Sequence, residues 1–226
     1  MSAYNILSAR GVNRLCHFTK FQSFTHIILH ETGILASDSI RQDTKHVTDQ
    51  ERYDGELDYV CCSIQYPNSW FLKQAMENDT DKLFQEWVVL YINLNILDSR
   101  EAKFCPCNAS KGSGRYIKEN MEEIESIFAH SIPTFPYSRT PRMLPSCPTD
   151  GQAEILIKDG IPRSFIIGIA VGNKKIAERI YAMLAMCHIR DISIFIAPDV
   201  ITTRWSSMIK DGRIPDEIAC GWPEEE

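Results

Sequence analysis

Hydrophobic residues are gathered along the chain into short blocks of two kinds. Some repeat at helical spacing. Phe24, Ile27, Ile28 and Leu29 do so, and they predict a helix from Phe21 to Thr32 with Gly33 as its C-cap. Lys174 to Cys187 reads as an amphipathic helix, and shorter helical patterns cover Trp70 to Glu77 and Tyr116 to Ala129. The other blocks are continuous and rich in Val, Ile and Tyr, as strands are. Trp87 to Leu94 is the clearest of these. Tyr59 to Gln65, Gln152 to Lys158, Phe165 to Val171 and, as the last strand, Ile192 to Ile196 share its character. Short strands and helices in this mixed order predict an α+β sheet domain, not a doubly wound one.

Three polar stretches separate these blocks. Ser37 to Asp58 has no periodicity and is long for a loop, as functional loops in compact domains often are. Cys105 to Arg115 holds Asn108, Ser110, Gly112, Ser113 and Gly114 and reads as a turn-prone loop. Ser131 to Asp150 carries Pro133, Pro136, Pro141, Pro145 and Pro148, too many for a regular strand or helix.

Composition adds bounds to this pattern. A chain of 226 residues at 44% hydrophobic can bury one sizeable core, and a single domain over residues 1–226 is expected. No apolar run is long enough to span a membrane, and Met1 to Arg10 lacks the pattern of a signal peptide, so a cytoplasmic location is expected. The net charge of −6 argues against a whole-surface nucleic-acid binder but leaves room for a local basic patch. The acidic end, Glu224 to Glu226, reads as solvated. Eight cysteines include the C-x-C of Cys105 and Cys107, with Cys147 further on. The paired clusters of a metal site are missing, so reduced structural thiols and no metal are expected.

Familiar cofactor motifs are absent too. There is no G-x-G-x-x-G between a strand and a helix, no phosphate loop and no G-x-S-x-G. Three smaller features remain, each with a plain alternative. His17-Phe18-Thr19 precedes the first predicted helix, where Thr19 can simply be an N-cap. Arg52 sits in the long polar loop and alone reads as a solvated charge. Glu154 interrupts an apolar strand, so it lies either on a solvent face or in a cleft. Gln152 shares its face by strand alternation, and the two can grip one substrate.

In order and spacing these pieces resemble the DarT family of ADP-ribosyltransferases. The matching segments are Leu15-Cys16-His17-Phe18-Thr19, Gly33-Ile34-Leu35, Asp49-x-x-Arg52-x-Asp54-Gly55 and Ser63-Ile64-x-Tyr66-Pro67-Asn68. Trp87-Val88-Val89-Leu90, Asn108-Ala109 and Gln152-Ala153-Glu154-Ile155-Leu156-Ile157 complete the set, which spans residues 14 to about 170. Best-known members carry a V-P-F-Y-F strand where this chain has Val60-Cys61-Cys62-Ser63-Ile64, and the acceptor loop has its own sequence.

The resemblance implies an ADP-ribosyltransferase-like split mixed and antiparallel sheet core with flanking helices. It also implies NAD as co-substrate. His17, Phe18 and Thr19 would grip the nicotinamide end, with further NAD contacts at His26, Leu35 and Tyr66. Ala36 to Gly55 would be an NAD-binding element whose Arg52 meets the dinucleotide and counts as catalytic together with Glu154. Asn108 to Gly151 would face the nucleic-acid acceptor, with Asn108, Lys111, Arg115, Arg139, Arg142 and Gln152 as binding residues. Tyr116, Phe135 and Tyr137 would stack on bases. Members commonly act as toxins paired with an antitoxin protein, inside bacteria or against phage.

Three functions follow as expectations. The first is a mono-ADP-ribosyltransferase toxin acting on a base in single-stranded DNA or RNA and releasing nicotinamide. The second is an enzyme of the same fold that modifies protein or hydrolyses NAD. The third is a non-catalytic nucleic-acid-binding module, against which the acidic net charge counts.

Overall fold

The computed structural model describes residues 2–40, 53–79 and 86–221. Helix α1 (Ala3–Ala9) comes first, with Ser2 Oγ accepting the Asn5 N–H at 3.3 Å. Strand β1 (Arg14–Lys20), α2 (Phe21–Leu29), β2 (Tyr59–Ile64), α3 (Ser69–Glu77) and β3 (Trp87–Asn93) follow. Next are β4 (Ala102–Cys105), the single turn α4 (Ile124–Ile127), β5 (Glu154–Lys158) and β6 (Ile166–Val171). The series closes with α5 (Lys174–Met186), β7 (Ser193–Ile196), α6 (Arg204–Lys210) and β8 (Ile218–Cys220).

The strands hydrogen-bond in the order β4-β5-β2-β1-β3-β6-β7-β8. β6 and β7 run parallel, and α5 supplies the crossover that parallel neighbours need. All other neighbouring strands pair antiparallel. The result is the mixed α+β sheet with flanking helices that the sequence predicts.

Strand alternation sorts side chains onto two faces. On one, Leu15, Ile64, Leu90, Ile155 and Ile169 meet Phe24 and Ile28 of α2 and Ile180 and Leu184 of α5 in the main core. On the other, Cys16, Val89, Tyr91 and Ala170 pack with Trp205 and Ile209 of α6. A third cluster gathers Tyr59, Cys105 and Leu156. Because both faces are covered, β3 and β6 read as unbroken apolar runs and not as alternating ones.

Several elements differ from the sequence pattern. It does not predict α1, β1, β4, α6 or β8, so Ile196 does not end the last strand. Thr19 lies within β1, and the N-cap of α2 is Lys20, which makes no side-chain cap. The helix expected from Tyr116 to Ala129 shrinks to a 3₁₀ turn at Met121–Glu123 followed by α4. The cause is a bridge: Phe104 and Lys118 exchange two backbone hydrogen bonds of 2.8 Å, which holds that part of the chain extended. The strand expected from Gln152 begins at Glu154, because Asp150 holds the preceding turn by accepting from the N–H groups of Gln152 and Ala153.

Gly33 ends the α2 turn at φ +64°, and a Cβ there would lie 2.2 Å from the Ile161 carbonyl oxygen. That approach lets Ile34 and Ile161 exchange hydrogen bonds of 2.9 and 2.8 Å, which ties α2 to the turn after β5. Gly33→Ala should therefore destabilise the fold by about 2–4 kcal/mol, read as a lower urea midpoint at unchanged m-value.

Candidate functional site

The sheet is paired unevenly at its middle. β1 pairs with β3 along its whole length, from Arg14↔Asn93 to Lys20↔Trp87. β2 pairs with β5 from Tyr59↔Lys158 to Ser63↔Glu154. Between themselves β1 and β2 pair only at Leu15↔Ile64 and Cys16↔Ser63. Beyond Cys16 they part, and His17 Nδ1 spans the gap to the Cys61 carbonyl oxygen at 3.1 Å. A carbonyl oxygen only accepts, so Nδ1 carries a proton in this contact.

A cavity of about 460 Å³ occupies this opening. His17, Phe18 and Thr19 form one wall, and Tyr59, Val60, Cys61 and Ser63 of β2 form the facing one. Ser23 and His26 of α2 and His30, its C-cap, line the cavity with Gly33 and Leu35. Asn108, Ser110 and Glu154 lie at another, and Asp54 also lines the space. Phe18 packs edge-on against Phe71 at 5.7 Å, and both rings line the cavity.

Glu154 is the first residue of β5, opposite Ser63 on one side and Cys105 on the other. It is only 7% exposed, and its Oε2 accepts the Ala109 N–H at 2.7 Å. The loop carrying Ala109 is tightened by Asn108, whose Oδ1 accepts from the N–H of Ser110 at 3.1 Å and from its hydroxyl. Backbone hydrogen bonding thus fixes the carboxylate within a largely apolar cleft. Beneath it, Cys105 and Cys107 are buried with sulfurs 3.9 Å apart, and all eight cysteines are unpaired thiols. Asp54 Oδ1 accepts the Glu56 N–H at 3.0 Å. Gly114, at φ +82°, lets the acceptor-side loop rest on that segment, since a Cβ there would lie 2.6 Å from the Asp54 carbonyl oxygen. The Tyr59 phenol is pushed up to about 12 by burial and by its 2.5 Å hydrogen bond to Glu101, so it stays neutral.

The cavity brings together seven of the residues singled out by sequence: His17, Phe18, Thr19, His26, Leu35, Asn108 and Glu154. Arg52 and most of the expected NAD-binding element lie outside the described residues. Tyr66 sits elsewhere. The chain turns at Gln65 (φ +65°), and the Tyr66 ring is buried on Trp205 with centroids 5.2 Å apart, while the Arg14 guanidinium covers it at 5.4 Å. Arg14 is itself paired with Glu217. Gln152 lies in the turn before β5 and does not line the cavity.

The basic residues expected to contact nucleic acid have different surroundings. Lys111 Nζ lies 3.3 Å from Asp150 and 3.5 Å from the Thr134 carbonyl oxygen. Arg115 stacks on Tyr116 at 4.7 Å and is exposed, as is Arg142. Arg139 donates to the Leu144 and Cys147 carbonyl oxygens, both at 2.7 Å, and so pins its own loop. Sequence reading missed Ser23, His30, Ser63, Phe71 and Ser110 as lining residues. One signal for His30 was available: it lies one helical turn beyond His26 on the predicted helix. Among the described residues no cluster of His, Cys, Asp or Glu is placed to hold a metal ion, and no helix is long and apolar enough to cross a membrane.

A family model described as "ssDNA thymidine ADP-ribosyltransferase, DarT" matches residues 16–202. Comparison with curated protein sequences finds no match. The fold is similar to that of Thermus sp. 2.9 DarT in complex with ADP-ribosylated ssDNA, with TM-score 0.60 and 18% identity over 84% of this chain and 96% of that one. The same protein in complex with NAD⁺ gives TM-score 0.58 and 16% identity over 81% and 96%. Thermosipho africanus DarTG in complex with ADP-ribose gives TM-score 0.58 and 12% identity over 84% of this chain and 51% of that chain.

Thiol chemistry offers a check on these placements. Burial pushes the Cys16 and Cys147 thiols up to about 12 and the Cys62 thiol well above its usual range. Cys61, Cys187 and Cys220 are partly exposed. In the native protein at pH 8, iodoacetamide should label the last three and spare the first three, as read by peptide mass spectrometry.

Proposed function

The chain belongs to the DarT family of ssDNA thymidine ADP-ribosyltransferases, and from that premise we propose that it cleaves NAD and transfers the ADP-ribose to a thymine base of single-stranded DNA. The observation that carries the reading is the buried carboxylate of Glu154, held by the Ala109 N–H at the edge of a cavity lined by His17, Phe18 and Thr19. Such a cavity is of the size that takes small-molecule substrates.

The chemistry fits a fixed anion in a partly apolar cleft. Rupture of the bond between nicotinamide and ribose C1′ sends its electron pair to the pyridine nitrogen. Positive charge then develops on the ribose, as in glycoside cleavage. A carboxylate already oriented by a backbone N–H stabilises that charge without reorganising. Thymine in a nucleotide has one ring N–H left, at N3. The new bond joins N3 to C1′, and Glu154 takes the proton that N3 gives up. N3 lies on the pairing edge, which a duplex conceals, so the acceptor is a single strand.

His17, with its ring fixed by the Cys61 carbonyl, and the Phe18 ring would receive the nicotinamide end, and Thr19, His26 and Leu35 would contact the rest of the dinucleotide. Arg52 would pair with the pyrophosphate through its planar fork of donors. Support for that role is sequence position: Asp54, two residues further on, lines the cavity. Asn108, Lys111, Arg115, Arg142 and Gln152 would guide the DNA. In the same reading the chain is a toxin restrained by an antitoxin protein. Its match to about half of a DarTG chain supports a second component.

Incubation with NAD and oligonucleotides, followed by mass spectrometry, should show gain of ADP-ribose on thymidine-containing single strands. Gain on RNA or protein alone would overturn the substrate assignment. Glu154→Gln keeps an oxygen to accept the Ala109 N–H, so the fold should persist while transfer falls by about 10² or more. Unchanged transfer would remove Glu154 from the reaction. NAD should also shield Cys61, on the cavity wall, from alkylation and leave Cys187 as reactive as before.

A further inference from the structure

We propose that Phe135, Tyr137 and Lys210 form a second contact for the single strand, a platform on which a base flanking the modified thymine stacks while its phosphate meets the lysine. The proposal rests on the transferase reading above and extends it to residues outside the cavity.

Phe135 and Tyr137 meet edge to face with centroids 5.5 Å apart. Tyr137 is 64% exposed, although it is a large ring that could have been buried. Lys210 Nζ lies 5.2 Å from the Tyr137 centroid and 5.9 Å from that of Phe135. A lysine in the last turn of a helix is favoured by the helix dipole, and that alone would explain its residue type. It does not explain the position of the ammonium group over two rings. Among the described residues no carboxylate pairs with Lys210, and neighbouring Asp211 is engaged by Arg213 at 3.4 Å. An exposed aromatic face beside an unneutralised cation is the combination that single-strand binders use: the ring accepts any base, and the cation meets the backbone.

The platform is tied to the catalytic cavity by a short structural path. Lys111 follows Ser110, which lines the cavity, and reaches the Thr134 carbonyl oxygen one residue before Phe135. From the other side α6 is fastened to the same loop, because the Leu144 N–H donates to the Ile209 carbonyl oxygen at 3.1 Å. Exposed Arg142 lies two residues before that bond. Between the cavity and the platform lie Lys111, paired with Asp150, and exposed Arg142, so the basic groups beside the platform stand out on a protein whose net charge is −6. Helix α6 begins at Arg204, just beyond residues 16–202 that the family model matches.

The test is fluorescence anisotropy of fluorescein-labelled oligothymidylate with the full chain, without NAD. Tyr137→Ala should weaken binding about tenfold, while Tyr137→Phe should bind as the parent does. Lys210→Ala should reduce the salt dependence by about one released ion. Parental binding by both alanine variants would overturn the platform, and so would equal loss in Tyr137→Ala and Tyr137→Phe. Circular dichroism checks the fold of each variant. Mass spectrometry of the same oligonucleotides with NAD separates the two readings. Weakened binding with no ADP-ribose gained by any strand keeps the platform and rejects the transferase. Mass gain with binding unaltered in the alanine variants does the reverse.

Discussion

β1 and β2 stay together for two residue pairs and then separate, although each remains paired to its other neighbour beside the gap. An ordinary opening in a sheet would leave two loose edges. Here β3 holds one lip and β5 holds the other, so both sides of the gap keep their backbone hydrogen bonds. Interior backbone groups must find partners somewhere. At His17 the side chain supplies one by reaching the Cys61 carbonyl across the gap. A cleft made this way needs no hinge, and its walls are the strands themselves, whose side chains alternate at fixed spacing.

The placement of Glu154 depends on the same geometry. Strand β5 starts at this residue, so the carboxylate stands where regular pairing ends and the chain from the acceptor loop enters. The hydrogen bond from the Ala109 N–H joins that loop to the carboxylate. Any movement of the loop is therefore felt at the carboxylate directly. The unpaired thiols Cys105 and Cys107 are buried nearby with their sulfurs 3.9 Å apart, and the hydrogen bond between them lowers the Cys107 thiol to about 7.

Much of this was legible in the sequence, for reasons that can be named. β3 and β6 are covered on both faces, so their Val and Ile content speaks without ambiguity. Glu154 stood out because a carboxylate interrupts such a run. β1 was not legible, because its polar residues answer to distant partners. Arg14 is half-buried against Glu217 and Tyr91, and His17 faces the cleft, so the strand lacks both an apolar run and a clean alternation. β8 is three residues long with two exposed, which leaves no pattern to see. The helix lost before α4 fell to the long-range bridge between Phe104 and Lys118, which no local propensity encodes. Ser63 and Phe71 became visible as cavity residues only once the strands were seen to part.

The contact at Gly114 has a thermodynamic corollary. Without a side chain there, the loop on the acceptor side lies directly against the Asp54 carbonyl, and Asp54 itself lines the space assigned to the dinucleotide. Whatever one ligand does to this shared joint, the other encounters on arrival. Free-energy coupling of that kind is mutual by necessity. If an occupied cleft favours the strand, a bound strand favours occupancy of the cleft by the same factor, and a bulkier residue at position 114 would weaken both halves of the exchange together.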